Sequence, residues 1–149
     1  MAISKNTIIV KTFGRNYEER DAGEAGIYPG MLCKKDTDGD VIMHDTEGGR
    51  GECLIAIEDA LQGKLVSTVY VLDYPVRLMI FRPGEEFCGL LAIGETISDG
   101  EQLISAGDGT FKSAADSGLT IDAPICIAME DEDTTGVSGA ATLIHMRAL

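Results

Sequence analysis

Four groups of side chains in this 149-residue sequence could do chemistry. They are the carboxylates of Asp36, Asp38 and Asp40, the histidines His44 and His145, the cysteines at 33, 53, 88 and 126, and the run Glu130-Asp131-Glu132-Asp133. The Asp36-x-Asp38-x-Asp40 spacing, with Glu47 eleven residues after Asp36, imitates the ligands of a calcium loop. Such a loop needs Gly at its sixth position for the sharp bend, and here that position is Val41. Val41-Ile42-Met43 reads instead as a strand that carries Glu47 away from any ion, so residues 36–39 are expected to form a hairpin turn. The four acids at 130–133 are expected to be solvated charge on a connection.

A catalytic histidine needs a nucleophile and an orienting group beside it. His44 ends a predicted strand just before Asp45, and His145 alternates with Ile144 and Met146. Both read as strand histidines that face solvent or cap a sheet. Convergence of His44, Asp45 and Arg50 in one pocket would speak for an enzyme. The sequence holds no Gly-x-Ser-x-Gly elbow, P-loop or dinucleotide fingerprint, and Gly107-Asp108-Gly109 reads as a turn. The cysteines are widely spaced without a C-x-x-C, Cys53 and Cys126 sit in apolar runs and Cys88 follows Phe87, which predicts buried free thiols. No catalytic residue, metal or cofactor is expected.

The elements that position these groups follow from pattern. Eighteen glycines, no Trp and the pairs Asp38-Gly39, Asp99-Gly100 and Asp108-Gly109 mark many tight turns. Between them lie short apolar or β-branched runs at residues 30–35, 40–44, 53–57, 66–71, 76–82, 86–92, 102–105, 110–113, 124–130 and 140–147. Residues 59–63 read as a helical turn ended by Gly63. Short strands at this spacing predict a mainly β fold, a small antiparallel barrel or sandwich without long helices. A further β-branched run, residues 7–13, is cut off by a charged, Gly-containing stretch. It predicts an extended N-terminal arm and loop over residues 1–27, ahead of a body over 28–149; the competing expectation is a first strand packed at the sheet edge.

The net charge of −13 argues against nucleic acid, because no basic patch is dense enough to release counterions. Residues 1–20 carry a net +2 and the remainder −15, so a basic head could pair with a neighbour's acidic body. No apolar run reaches the length of a membrane span, and Met1-Ala2-Ile3-Ser4-Lys5-Asn6 is too polar for a signal peptide, which predicts folding in a cytoplasm.

Several segments in order resemble the bacteriophage capsid decoration (cement) proteins. They are Tyr28-Pro29-Gly30-Met31-Leu32, the strand ending at His44, and Cys53-Leu54-Ile55-Ala56-Ile57-Glu58-Asp59-Ala60-Leu61-Gln62-Gly63-Lys64. Later come Gly94-Glu95-x-Ile97-x-Asp99-Gly100, Leu103-x-Ser105-x-Gly107-Asp108-Gly109-Thr110, Pro124-x-Cys126-x-Ala128-x-Glu130 and Thr134-Thr135-Gly136. The resemblance covers about residues 28–149 and rests on the order of motifs rather than any one of them. It implies a β-tulip or β-clip-like barrel, usually a homotrimer, on the outer surface of a virion, with the major capsid protein as partner and an arm reaching neighbouring subunits. On that reading Ile8, Ile9 and Val10 would add to a partner's sheet edge, with Phe13 and Tyr17 as aromatic anchors. The competing expectations are a β-clip enzyme or sugar-binding module, suggested by residues 94–109, and a tail or baseplate β-module.

Overall fold

The computed structural model describes residues 5–115 and 123–149. Among the described residues thirteen strands form: β1 (Ile9–Lys11), β2 (Tyr17–Asp21), β3 (Cys33–Lys35), β4 (Val41–Met43), β5 (Leu54–Ala56), β6 (Pro75–Ile80), β7 (Glu86–Leu91), β8 (Thr96–Ile97), β9 (Gln102–Ser105), β10 (Phe111–Ser113), β11 (Cys126–Ala128), β12 (Glu132–Asp133) and β13 (Thr142–Ala148). The helical segment among the described residues is a single 3-10 turn, Ala60–Gln62, stopped by Gly63 at φ 69° as expected. No helix among the described residues is long and apolar enough to cross a membrane.

Five strands close a barrel in the order β7-β10-β9-β11-β13, with β13 returning to β7 over six residue pairs and β1 added outside. The β9–β10 hairpin turns at Gly107 and Gly109, both at positive φ, as the Asp-Gly pair requires. One pairing departs from an all-antiparallel barrel: β10 runs parallel to β7 at Phe111↔Leu91. Phe87 fills the interior, with ring centroids 4.8 Å from Phe81 and 6.0 Å from Phe111.

A second sheet, β2-β6-β5, and the predicted β3–β4 hairpin enclose a smaller core of Ala22, Ile27, Cys33, Val41, Leu54, Ala56, Val76 and Leu78. Strand alternation divides β5 and β6 between the two cores. Ile55 and Met79 face the barrel, whereas Leu54, Ala56 and Leu78 face the smaller core. That two-sided burial is why residues 53–57 are apolar throughout.

The free arm is corrected in favour of the competing expectation, a first strand packed at the sheet edge. Ile8 has no exposed surface and belongs to the barrel core, with Ile9 and Val10 packed against it. β1 pairs antiparallel with β7, and the Cys88 amide donates to the Ile8 carbonyl at 2.8 Å. Residues 17–21, expected as loop, pair with β6 through five residues. A β-branched segment beside an uncovered stretch of β7 completes that ladder within its own chain, so residues 5–27 belong to the same body as the rest. The strand expected at 66–71 does not form, and the short β8–β12 pair was not foreseen.

Close packing gives the barrel a sensitive point at Gly89, where a Cβ would stand 2.6 Å from Met146 Sδ and 3.0 Å from Phe111 Cε2. Gly89→Val is expected to destabilise by about 2 kcal/mol through overpacking. Gly136, whose Cβ would meet nothing within 4 Å, should tolerate Gly136→Ala within about 0.5 kcal/mol. Urea denaturation of the two variants checks the contrast.

Candidate interaction surface

Residues 57–74 leave the wall between the cores and return to it without pairing as a strand. The connection is nevertheless pegged at many points. The Asp59 carbonyl accepts the Gln62 and Lys64 amides, and the Tyr70 amide donates to the Ile27 carbonyl at 2.9 Å. The Tyr70 hydroxyl donates to the Ile57 carbonyl. Ala22 and residues 73–74 exchange backbone bonds, and Asp73 takes a positive φ of 64° at that turn. Val66 packs on the barrel core and Tyr70 on the smaller one.

From Leu65 to Val71 exposure alternates, with Leu65, Ser67, Val69 and Val71 outside and Val66, Thr68 and Tyr70 turned inward. An extended ribbon over a core normally shows polar residues on its solvent side. Here that side is largely apolar: Leu61 is 85% exposed and Leu65 67%, joined by Val69, Val71, Leu72 and Tyr74. Lys64 and Asp73 are the charged residues within 60–74. Six large apolar side chains are exposed along this one hydrogen-bonded loop, the crest, and exposed apolar residues gathered on one segment are candidates for an interaction site. Val66 and Ser67 border a groove of about 900 Å³ that Tyr28, Met31, Leu90 and Leu143 also line.

The anchors expected from sequence divide. Ile8, Ile9 and Val10 are committed to their own barrel and cannot grip a partner. Phe13 and Tyr17 remain outside, each beneath a cation: Lys11 Nζ lies 5.5 Å from the Phe13 centroid, and Arg77 lies 5.4 Å from that of Tyr17. No protein family and no curated protein matches this sequence. Function must therefore be argued from the surface itself.

The groups singled out for chemistry are tied into structure. Asp36 Oδ1 accepts the amides of Asp38 and Asp40, at 2.9 and 3.0 Å, which closes the hairpin turn. His44, expected to face solvent or cap a sheet, is buried, with Nδ1 2.8 Å from Ser105 Oγ and Nε2 3.2 Å from the Arg50 carbonyl. Asp45 turns away to Lys34 at 2.5 Å, so His44, Asp45 and Arg50 do not converge. His145 is also buried and lies 2.9 Å from Glu86, which Arg147 approaches from its other side at 3.1 Å. Burial would raise the Glu86 pKa, but hydrogen bonds and charge from Arg147 and His145 outweigh it and hold the carboxyl below its usual range.

The acidic run is not merely solvated. Glu130 pairs with Lys5 at 2.6 Å and accepts the His145 amide, while Asp131 and Asp133 accept the amides of Asp99 and Thr135. All four cysteines are buried free thiols, as expected, and burial raises the pKa of Cys33 to about 12 and of Cys88 to about 11. Among the described residues no group of three or more His, Cys, Asp or Glu could hold a metal. Sequence reasoning overlooked the crest, although its signal was present: Leu65-Val66-Ser67-Thr68-Val69-Tyr70-Val71-Leu72 has apolar residues in both alternating sets.

Proposed function

We propose that this chain is a structural protein that binds the outer surface of a tailed-phage capsid and stabilises the expanded head lattice. The observation that carries the reading is the crest, a firmly anchored apolar loop on a chain of net charge −13. Such a loop loses little conformational entropy on docking, because its backbone is already fixed by Tyr70, Thr68 and Asp59. The ordered resemblance of residues 28–149 to capsid decoration proteins supplies the partner, the major capsid protein. With the arm docked on its own barrel, contact with the lattice passes to the crest.

The mechanism is linkage. A protein that binds the expanded lattice alone stabilises it by RT ln(1 + [L]/Kd), about 4 kcal/mol per site at a thousandfold excess over Kd. Assembly as a homotrimer would add avidity across neighbouring capsomers. The acidic exterior would keep coated particles from adhering to each other and to nucleic acid. Purified protein is expected to co-sediment with undecorated heads and to raise their resistance to heat and chelators. Heads whose resistance stays unchanged at saturating protein would overturn the proposal, and a copy number confined to one vertex would reassign it to a tail or baseplate module.

A further inference from the structure

The connection from β1 to β2 carries a second surface of different chemistry. Lys11, Phe13, Arg15 and Tyr17 are exposed at alternate positions, while Thr12, Gly14 and Asn16 are partly covered. Phe13 is 66% exposed, with its ring over Gly84, where a Cβ would stand 3.5 Å from Cε2. Arg82, two residues before Gly84, reaches back to donate from Nη2 to Asn16 Oδ1 at 3.2 Å. Arg15 lies 6.0 Å from the Tyr17 ring, which Arg77 flanks as well. Lys11, Phe13, Arg82, Arg15 and Tyr17 therefore form one continuous patch.

Its cations stand outside the salt bridges. Among the described residues Lys11, Arg15 and Arg82 form no salt bridge, whereas seven of the other basic side chains do. The Glu85 carboxylate, which the Arg82 charge reaches, is buried and accepts the Thr12 hydroxyl and the amides of Phe13 and Arg82. Glu19, next along the exposed side, faces Arg77 at 3.7 Å. In a chain with 25 acidic side chains, three exposed cations outside any salt bridge beside two open aromatic rings make a complementary surface for negative charge.

We infer that this patch docks a short acidic segment of another polypeptide, one that alternates carboxylates with apolar or aromatic residues. Carboxylates would meet Lys11, Arg15 and Arg82, and the apolar residues would cover Phe13 and Tyr17. Nucleic acid fits less well, since a polyanion longer than the patch would run onto a surface of net −13. The inference is independent of the capsid reading and of the crest.

The test uses the full chain and a fluorescent peptide of alternating Glu and Phe, its Gln-for-Glu counterpart, and a short DNA duplex. The Glu peptide should bind, weaken as salt rises, and exceed the Gln peptide by about tenfold, as two or three exposed charge pairs would give. Lys11→Glu with Arg15→Glu should abolish the difference, and Phe13→Ala with Tyr17→Ala should weaken both peptides. Lys11→Gln with Arg15→Gln guards against misfolding, with circular dichroism unchanged. Equal affinity for the two peptides, or tighter binding of the duplex, would overturn the inference. So would a self-association that Lys11→Glu with Arg15→Glu abolishes, since the occupant would then be a second copy.

Discussion

Glu85→Ala is expected to destabilise the fold by about 3 to 5 kcal/mol, a large part of what holds a domain of this size together. The carboxylate is 1% exposed. One oxygen accepts the Thr12 hydroxyl and the Phe13 amide, both at 2.8 Å, and the other accepts the Arg82 amide at 2.7 Å. The same residue's backbone bonds Arg82 and Ala148. Glu85 therefore joins the first strand connection, the β6–β7 turn and the last strand. Alanine would leave two amides without their acceptors. Glu85→Gln should recover only part of the loss, because its amino group cannot accept from an amide. Hydrogen exchange should show residues 8–13 opening first, given that β1 is only three residues long.

The pH dependence follows from the same contacts. Burial would raise the Glu85 pKa, but the amides of Arg82 and Phe13, the Thr12 hydroxyl and the Arg82 charge together hold it below the usual 4.5. A carboxyl with a depressed folded-state pKa contributes its stability above the unfolded value and loses it as pH falls through the folded value. The parent should therefore weaken progressively below about pH 4.5, whereas Glu85→Ala should fall less steeply there. Urea midpoints at pH 7 and pH 3.5 measure both effects. A variant within about 1 kcal/mol of the parent at pH 7 would refute the role given to this side chain.

Glu85 also shows where sequence reading stops. The turn at Pro83-Gly84 and the strands around it follow from residue type, and so does a mainly β fold, since alternation and Asp-Gly turns are local signals; the choice of barrel over sandwich rests on the return of β13 to β7. Nothing local tells that a glutamate after a turn is buried against residues more than 70 positions earlier. The N-terminal run is similar. Its β-branched residues specify an extended conformation, but the choice between its own β7 and another chain's edge depends on which edge is left uncovered. β2 escaped notice because Tyr-Glu-Glu-Arg-Asp lacks apolar alternation, and its pairing is supplied by β6. At 66–71 the β-branched run was read as a strand, but Val66 and Ser67 form a turn closed by the Thr68 amide on the Leu65 carbonyl, and the apolar side chains that a ladder would cover stand open.

Those open side chains give the second large effect. Leu61→Asp with Leu65→Asp is expected to reduce binding to undecorated heads about a hundredfold, through two lost apolar contacts and two carboxylates carried into the interface. Stability should move by no more than about 0.5 kcal/mol, since neither side chain is covered in the free protein. Binding through the crest should also survive high salt, because apolar burial is not screened as exposed ion pairs are. Lys11→Glu with Arg15→Glu provides the opposite pattern, altering a salt-sensitive contact and leaving the crest intact. If heads retain the Leu61/Leu65 variant but release the Lys11/Arg15 variant, the lattice is held by charge and the apolar crest serves something else. If the Leu61/Leu65 variant alone is released, the loop that never became a strand is the part of the molecule that holds the capsid.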